Sequence, residues 1–125
     1  MSSVQQDAAL ILDRLYEIVN ARRTERPDGS YVVSLLDGGW DAIAAKVREE
    51  AEEVVVAARE ESDSALVHEV ADLIFHVWVL MASRGVEPAA VYRELHDRFG
   101  VGGLVEKASR STGGRPERSE KEGPR

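Results

Sequence analysis

Apolar residues in this chain recur at the spacing of α-helices, in segments separated by glycine, proline and polar residues. In the first segment the apolar positions follow the i, i+3, i+4, i+7 pattern of a helix with one buried stripe, and they are Leu12, Leu15, Tyr16 and Val19. The pattern predicts a helix from Val4 to Arg22, which the Pro-Asp-Gly sequence at 27–29 brings to an end.

Two longer helices are predicted in the middle of the chain. The second helix begins at Asp41 as a candidate N-cap and ends near Glu60. The third helix begins at a cap formed by Ser62 or Asp63 and ends before Gly85. Its apolar positions extend around most of its surface, so we expect it to be buried on most sides.

The rest of the chain adds a fourth helix and a polar tail. Pro88 suits the first turn of a helix that runs to Phe99. Residues 30–36 fit either a strand or a short helix capped by serine. Residues 111–125 contain no large apolar side chain, and we expect them to be disordered. The expected fold is an all-α bundle of four to five helices over residues 1–110, centred on an antiparallel hairpin of the second and third helices.

Charge and composition limit the possible partners. The chain has a formal net charge of −7, and the window from Glu49 to Asp72 contains nine acidic residues and one basic residue. This charge argues against nucleic acid and anionic membranes as partners, because both bind positive surfaces. The chain has no cysteine, and its most apolar stretch, Leu73 to Ala82, is too short to span a bilayer. We therefore expect a soluble, cytoplasmic protein.

Two pairs of acidic residues lie in the predicted hairpin. Glu50 and Glu53 form one i, i+3 pair, and Glu69 and Asp72 form the other, so each pair occupies one helix face. Residues at equal sequence distance from the turn of an antiparallel hairpin lie at equal height. With the turn at residue 61, Glu50 faces Asp72 and Glu53 faces Glu69.

Four carboxylates in a layer one helical turn thick repel each other unless something neutralises them. A hard divalent cation does so well, because carboxylate oxygens are the preferred ligands of Mg²⁺ and Mn²⁺. The alternative is that the acids are solvated helix faces, which is how we interpret Glu52, Glu60 and Glu61. Glu69 and Asp72 interrupt an otherwise apolar helix, and this favours the metal site.

Two neighbouring residues allow alternative roles. His76 lies four residues after Asp72 and fits a hydrogen-bonded core histidine better than a support for the metal site or a substrate contact. Lys46 lies four residues before Glu50, where it can bind a phosphate oxygen or form a simple ion pair. A di-iron site is not expected, because it needs Glu-x-x-His on the facing helices.

The acidic pattern resembles that of the all-α nucleoside triphosphate pyrophosphatases of the MazG type, and it consists of Lys46, Glu49-Glu50-x-x-Glu53 and Glu69-x-x-Asp72. Further segments are similar to the phosphoribosyl-ATP diphosphatases of histidine biosynthesis, namely Asp28-Gly29-Ser30-Tyr31, Ala71-Asp72-Leu73-Ile74-Phe75-His76, Gly100-Val101-Gly102-Gly103 and Glu106-Lys107-Ala108. The likeness covers about residues 10–110.

This resemblance implies a homodimer that hydrolyses phosphoribosyl-ATP to phosphoribosyl-AMP and pyrophosphate with Mg²⁺, or with Mn²⁺. The implied metal ligands are Glu50, Glu53, Glu69 and Asp72. The implied catalytic residues are Glu49 and Glu50. The residues expected to contact the substrate are Arg23, Ser30, Tyr31 and Lys46.

Two other functions fit the same residues. One is a house-cleaning pyrophosphatase that acts on free or damaged nucleotides with the same metal site. The other is a helical interaction module without enzymatic activity, whose acidic face binds a basic partner.

Overall fold

The computed structural model describes residues 3–100, with the side chains of residues 3–7 and 9 left aside. Over this range the chain forms five helices and no strand. The helices are α1 (Ser3–Glu25), α2 (Tyr31–Asp37), α3 (Gly39–Glu60), α4 (Asp63–Arg84) and α5 (Pro88–Phe99). The all-α prediction is confirmed. The predicted tail at 111–125 lies outside the described residues.

The described residues divide into two units, one that ends at Pro88 and one that begins at Ala89. In the first unit α3 packs along α4, α1 packs against α4, and α2 contacts both α1 and α3. A partly buried hydrogen bond joins α1 to α4, because the indole Nε1 of Trp78 donates to the carbonyl oxygen of Leu12 at 2.8 Å. The core is formed by Tyr16, Val19, Val32, Leu35, Ile43, Trp78, Val79 and Ala82.

The connection between α3 and α4 consists of only two residues, Glu61 and Ser62. The hydroxyl oxygen of Ser62 accepts a hydrogen bond from the backbone N–H of Ala65 at 3.1 Å, which caps α4. At the far end of α4, Gly85 has a φ of 73° and forms the left-handed C-cap. The predicted turn of the hairpin and both predicted ends of α4 are therefore confirmed.

The two possibilities for residues 30–36 are resolved in favour of a short helix. The hydroxyl of Ser30 accepts the backbone N–H of Val33 at 3.2 Å and caps α2. The helix α1 before it continues to Glu25, further than predicted. Arg26 then ends the helix in the left-handed conformation, with a φ of 52°, and Pro27 follows it, where a residue without a backbone N–H cannot continue the helix.

The predicted N-cap of the second long helix was wrong. Helix α3 begins at Gly39, and Asp41 lies inside its first turn. Gly39 has a φ of 85°, so the chain turns sharply there and re-enters a helix at once. Gly38 precedes it without a side-chain cap, and a Cβ atom at Gly38 would lie 2.7 Å from the Cβ atom of Ala42. The connection between α2 and α3 therefore depends on two glycines.

Helix α5 follows Pro88 as predicted, and Gly100 ends it with a φ of 66°. Its apolar and polar residues lie on opposite faces, as expected of an amphipathic helix.

The apolar character of α4 exceeds what the single chain buries. Among the described residues it is the one helix long and apolar enough to cross a membrane by length and composition, with a mean hydropathy of 1.6. The central helix of a soluble bundle passes the same test. Only 22% of its most apolar window is buried within the chain. The expected burial on most sides therefore needs something beyond the single chain.

Candidate metal centre

Three carboxylates from the α3–α4 hairpin meet at one place. Glu50 from α3 and Glu69 and Asp72 from α4 each offer one oxygen atom, and these atoms lie within 4.8 Å of one another. Glu50 is only 8% exposed, whereas Glu69 and Asp72 are half-buried. Glu50 and Asp72 approach each other as the antiparallel register predicts.

Glu53 lies outside this group of three and is exposed on α3. The charge of Glu53 nevertheless helps to raise the pKa of the Glu69 carboxyl, which indicates that the two side chains lie in the same region of the hairpin. The structure therefore places Glu53 at the rim, one helical turn from Glu50 on the same face.

The three carboxylates repel one another electrostatically. Loss of water around Glu69 and the charges of Glu53, Glu50 and Asp72 raise the pKa of the Glu69 carboxyl, and His68 opposes this shift. A raised pKa of this origin means that the folded chain disfavours the ionised form of Glu69. A cation bound between the carboxylates would remove that disadvantage.

Sequence reasoning missed His68. Its Nε2 atom lies 3.3 Å from a carboxylate oxygen of Asp72, and its side chain is largely exposed. The sequence signal was its position four residues before Asp72, which puts both side chains on one face of α4.

Lys46 forms ion pairs at the edge of the group. Its Nζ atom lies 3.3 Å from Glu49 and 3.5 Å from Glu50. Partial burial alone would lower the pKa of Lys46, but the two carboxylates and the Tyr31 hydroxyl together raise it. The ion-pair interpretation of Lys46 is thus observed, and Glu49, which is more than half exposed, is its second partner.

His76 is a buried histidine with both ring nitrogens engaged, as favoured from the sequence. It is 4% exposed. Its Nδ1 lies 2.7 Å from the backbone carbonyl oxygen of Asp72, and its Nε2 lies 2.9 Å from the hydroxyl of Tyr31. The Tyr31 ring also stacks on Phe75, with 6.0 Å between the ring centroids.

The other residues expected to contact the substrate lie in two different places. Ser30 and Tyr31 line an open groove at the start of α2. Arg23 donates a hydrogen bond from Nε to the side-chain oxygen of Asn20 at 3.0 Å. Burial and the Glu87 carboxylate raise the pKa of Tyr16, and Arg23 opposes this. Arg23 is therefore engaged within α1, and it is not one of the side chains that meet at the carboxylate group in the described part of the chain.

A cluster of hard oxygen ligands on a helical hairpin, with a lysine at its rim, has the chemistry of a site that binds a phosphorylated ligand through a divalent cation. Carboxylates supply part of the coordination of Mg²⁺ in such sites, and substrate phosphates complete it. The fold and the carboxylates together define an all-α class of protein with a carboxylate cluster that is compatible with a divalent metal ion.

The family model for phosphoribosyl-ATP pyrophosphohydrolase matches residues 12–99. A protein from Trichlorobacter lovleyi named phosphoribosyl-ATP pyrophosphatase is 49% identical over 100 residues, which cover 80% of this chain and 93% of that protein. A protein of the same name from Methylococcus capsulatus is 50% identical over 103 residues, covering 82% of this chain and 98% of that protein. The chain belongs to the phosphoribosyl-ATP pyrophosphohydrolase family.

The raised pKa of Glu69 predicts a pH-dependent stability of the metal-free protein. The folded chain holds the Glu69 proton more tightly than the unfolded chain, so this carboxyl stabilises the fold below its usual pKa, about 4.3, and this contribution is lost as the pH rises through its raised value. We expect Glu69→Gln to raise the thermal midpoint in EDTA at pH 7. The gain should disappear near pH 4, where the wild-type carboxyl is protonated as well.

The matched control is Glu52→Gln, which removes an exposed carboxylate from α3. It should show no comparable pH-dependent gain. A Glu69→Gln protein that is less stable than the wild type at pH 7 in EDTA would show that carboxylate repulsion does not govern this site.

Proposed function

We propose that this protein hydrolyses phosphoribosyl-ATP to phosphoribosyl-AMP and pyrophosphate, the second step of histidine biosynthesis, with a divalent cation held by the α3–α4 hairpin. The observation that carries the proposal is the convergence of Glu50, Glu69 and Asp72 within 4.8 Å in a chain of this family. The house-cleaning and interaction-module alternatives have no comparable support.

The donor set fits Mg²⁺ or Mn²⁺. All three groups are carboxylates, and oxygen ligands suit both ions. The repulsion that raises the pKa of Glu69 gives a bound cation a favourable electrostatic environment. Glu53 is the fourth proposed ligand, which a side-chain rotation at the rim would bring to the ion.

The chain's own residues take distinct roles around the phosphates. When bound, Mg²⁺ would neutralise the triphosphate and stabilise charge on the leaving pyrophosphate. In this proposal Glu50, Glu69 and Asp72 hold the ion, and Glu49, which is exposed and pairs with Lys46, orients a water molecule. When the substrate binds, Lys46 leaves one of its ion pairs with Glu49 and Glu50 and contacts a phosphate oxygen instead.

Ser30 and Arg23 are weaker contacts in this proposal. The oxygen of Ser30 already accepts the N–H of Val33, but its hydroxyl proton is still available to a substrate in the groove. Arg23 is hydrogen-bonded to Asn20 within α1 and is not part of the carboxylate group, so in this proposal it contacts a part of the ligand away from the metal or acts on a second subunit.

We also propose that the protein is a homodimer, as the family resemblance implies. Val55 and Val67 lie at equal sequence distance from the turn and are 51% and 67% exposed, and Val70 adds to the same face of α4. Val67 and Val70 belong to α4, whose most apolar window is only 22% buried within the chain. A second copy that packs against the hairpin would cover it and complete a helical bundle.

We expect the wild-type protein to release pyrophosphate from phosphoribosyl-ATP in Mg²⁺, and far less from dCTP, dUTP or ATP. Glu50→Gln and Asp72→Asn should each lower kcat/KM by about 100-fold or more, because the metal stabilises charge in the transition state. Both variants should also lose most of the rise in thermal midpoint that Mg²⁺ gives the wild type.

Glu52→Gln is the control for this experiment, since it changes a carboxylate of α3 outside the group. It should keep the turnover and the Mg²⁺ response. A preference for dCTP or dUTP would contradict the substrate. Unchanged turnover in both site variants would contradict the metal ligands.

The dimer is tested with a charge placed in the apolar patch. We expect the wild type to sediment as a dimer and Val67→Glu to shift the equilibrium toward the monomer, because a buried unpaired carboxylate is costly. Ser83→Glu, at an exposed position near the other end of α4, should stay dimeric. A Val67→Glu protein with unchanged dimer affinity would show that the partner covers another face.

A further inference from the structure

The groove at the start of α2 carries side chains of both charges. Its volume is about 680 Å³, which falls within the roughly 300–1,000 Å³ of small-molecule sites. Among the described residues that line it, Arg26 is the one basic side chain, and Arg23 is not one of them. The polar lining residues come from the connection between α1 and α2 and from α2 itself, and they are Arg26, Asp28, Ser30, Tyr31, Ser34 and Asp37.

Arg26 holds an unusual backbone conformation at the edge of this groove. Its φ of 52° lies in the left-handed region, which asparagine and glycine adopt more readily than arginine. Its Nη2 atom donates to Oδ1 of Asp37 at 2.6 Å, so the side chain spans from the end of α1 to the end of α2. An arginine at a position that suits a smaller residue indicates a use for its side chain.

Most hydrogen-bond donors of Arg26 are available to a ligand. A guanidinium has five N–H groups, and the bond to Asp37 is the one contact of this guanidinium seen in the described part of the chain. The side chain is 49% exposed. Its planar fork of donors matches the oxygens of a phosphate, and the ion pair with Asp37 keeps the fork at the groove wall.

The acceptors of the groove suit hydroxyl groups. The carboxylate of Asp28 has no hydrogen-bond or ion-pair partner among the described residues, and carboxylates in nucleotide sites accept hydrogen bonds from ribose hydroxyls. A phosphate by itself would be repelled by Asp28, and a sugar without phosphate would leave Arg26 unused. The combination of one cation with acceptors for hydroxyl groups is therefore the chemistry that recognises a sugar phosphate.

The groove lies close to the proposed metal centre. Tyr31, which lines the groove, has its hydroxyl 2.9 Å from Nε2 of His76, and Nδ1 of that ring lies 2.7 Å from the backbone carbonyl oxygen of Asp72. Two hydrogen bonds and the width of one imidazole ring thus separate the groove from the backbone of a proposed metal ligand. One extended ligand can reach both places.

We propose that this groove binds the phosphoribosyl group of the substrate, with Arg26 on its 5-phosphate and Asp28 on its ribose hydroxyls. The inference rests on the proposed function and deepens it. Phosphoribosyl-ATP carries a triphosphate on one side of the adenine and a ribose 5-phosphate on the other. ATP has the triphosphate alone, so the groove is what distinguishes the substrate from ATP.

Two substitutions in the groove keep the local backbone. Arg26→Asn removes the guanidinium and suits a positive φ, and the exposed ion pair that it breaks contributes little to stability. We therefore expect a thermal midpoint no lower than that of the wild type. Asp28→Asn removes a charge and keeps a residue that favours turns. The matched control is Arg59→Gln, which breaks an exposed ion pair with Glu60 outside the groove.

The first test measures binding by NMR titration in EDTA, with phosphoribosyl-AMP and with AMP. Neither ligand has a triphosphate, so the metal centre is not required. The wild type should bind phosphoribosyl-AMP at least about tenfold more tightly than AMP, because hydrogen bonds to charged groups are among the stronger ones. This preference should fall below about threefold in Arg26→Asn, weaken in Asp28→Asn and stay unchanged in Arg59→Gln.

The same titration locates the ligand in the wild type, without any variant that must fold. The backbone amide signals of Gly29 and Ser34, which line the groove, should shift with phosphoribosyl-AMP and much less with AMP. Equal affinity of the wild type for both ligands, amide shifts that leave the groove unaffected, or tighter binding by Asp28→Asn would each overturn the proposal. A preference that Arg26→Asn retains would overturn the role of Arg26.

The second test measures pyrophosphate release from phosphoribosyl-ATP in Mg²⁺. Arg26→Asn should raise KM by about tenfold and change kcat by less than about twofold, because the groove is remote from the bond that breaks and binds ground state and transition state alike. An unchanged KM would contradict the proposal. A wild type that prefers phosphoribosyl-AMP to AMP in EDTA but releases no pyrophosphate would contradict the proposed function and leave the groove assignment standing.

Discussion

The register of the α3–α4 hairpin is the constraint on which the site depends. Only Glu61 and Ser62 connect the two helices, and Ser62 fixes the start of α4 by capping it. A shift of one residue along an α-helix moves a side chain by about 1.5 Å and rotates it by about 100°. Such a shift would remove Asp72 from Glu50. The short turn therefore does more to build the site than any contact between the carboxylates, which repel each other.

That repulsion links the structure to its function. Three carboxylates this close together destabilise a small helical domain by electrostatic repulsion. Lys46 and His68 reduce the repulsion only at the edges of the group, where they contact Glu50 and Asp72. The raised pKa of Glu69 shows that the charge is not fully compensated. A divalent cation would compensate it, and in the proposed function it would also bind the polyphosphate of the substrate. The same charge that argues against nucleic acid as a partner is thus, at one height of the hairpin, the basis for proposing that the chain binds a nucleotide through a metal ion.

The helices and the meeting of Glu50 with Asp72 could be predicted from the sequence, because both depend on local helix geometry. Helical periodicity gave the elements, and the short turn gave the meeting of Glu50 with Asp72. The cap of α3 was mispredicted because two glycines allowed the chain to re-enter a helix before Asp41. The bond between Tyr31 and His76 could not be predicted, since it joins residues 45 positions apart and depends on how α2 packs. Periodicity says nothing about the placement of so short a helix.

The most direct test of the central claim is anomalous scattering from Mn²⁺ in crystals of the wild-type protein. We expect a strong peak within bonding distance of carboxylate oxygens from Glu50, Glu69 and Asp72, and no such peak in Asp72→Asn crystals soaked at the same concentration. A Mn²⁺ peak elsewhere, with these three carboxylates turned to solvent, would contradict the proposed metal centre.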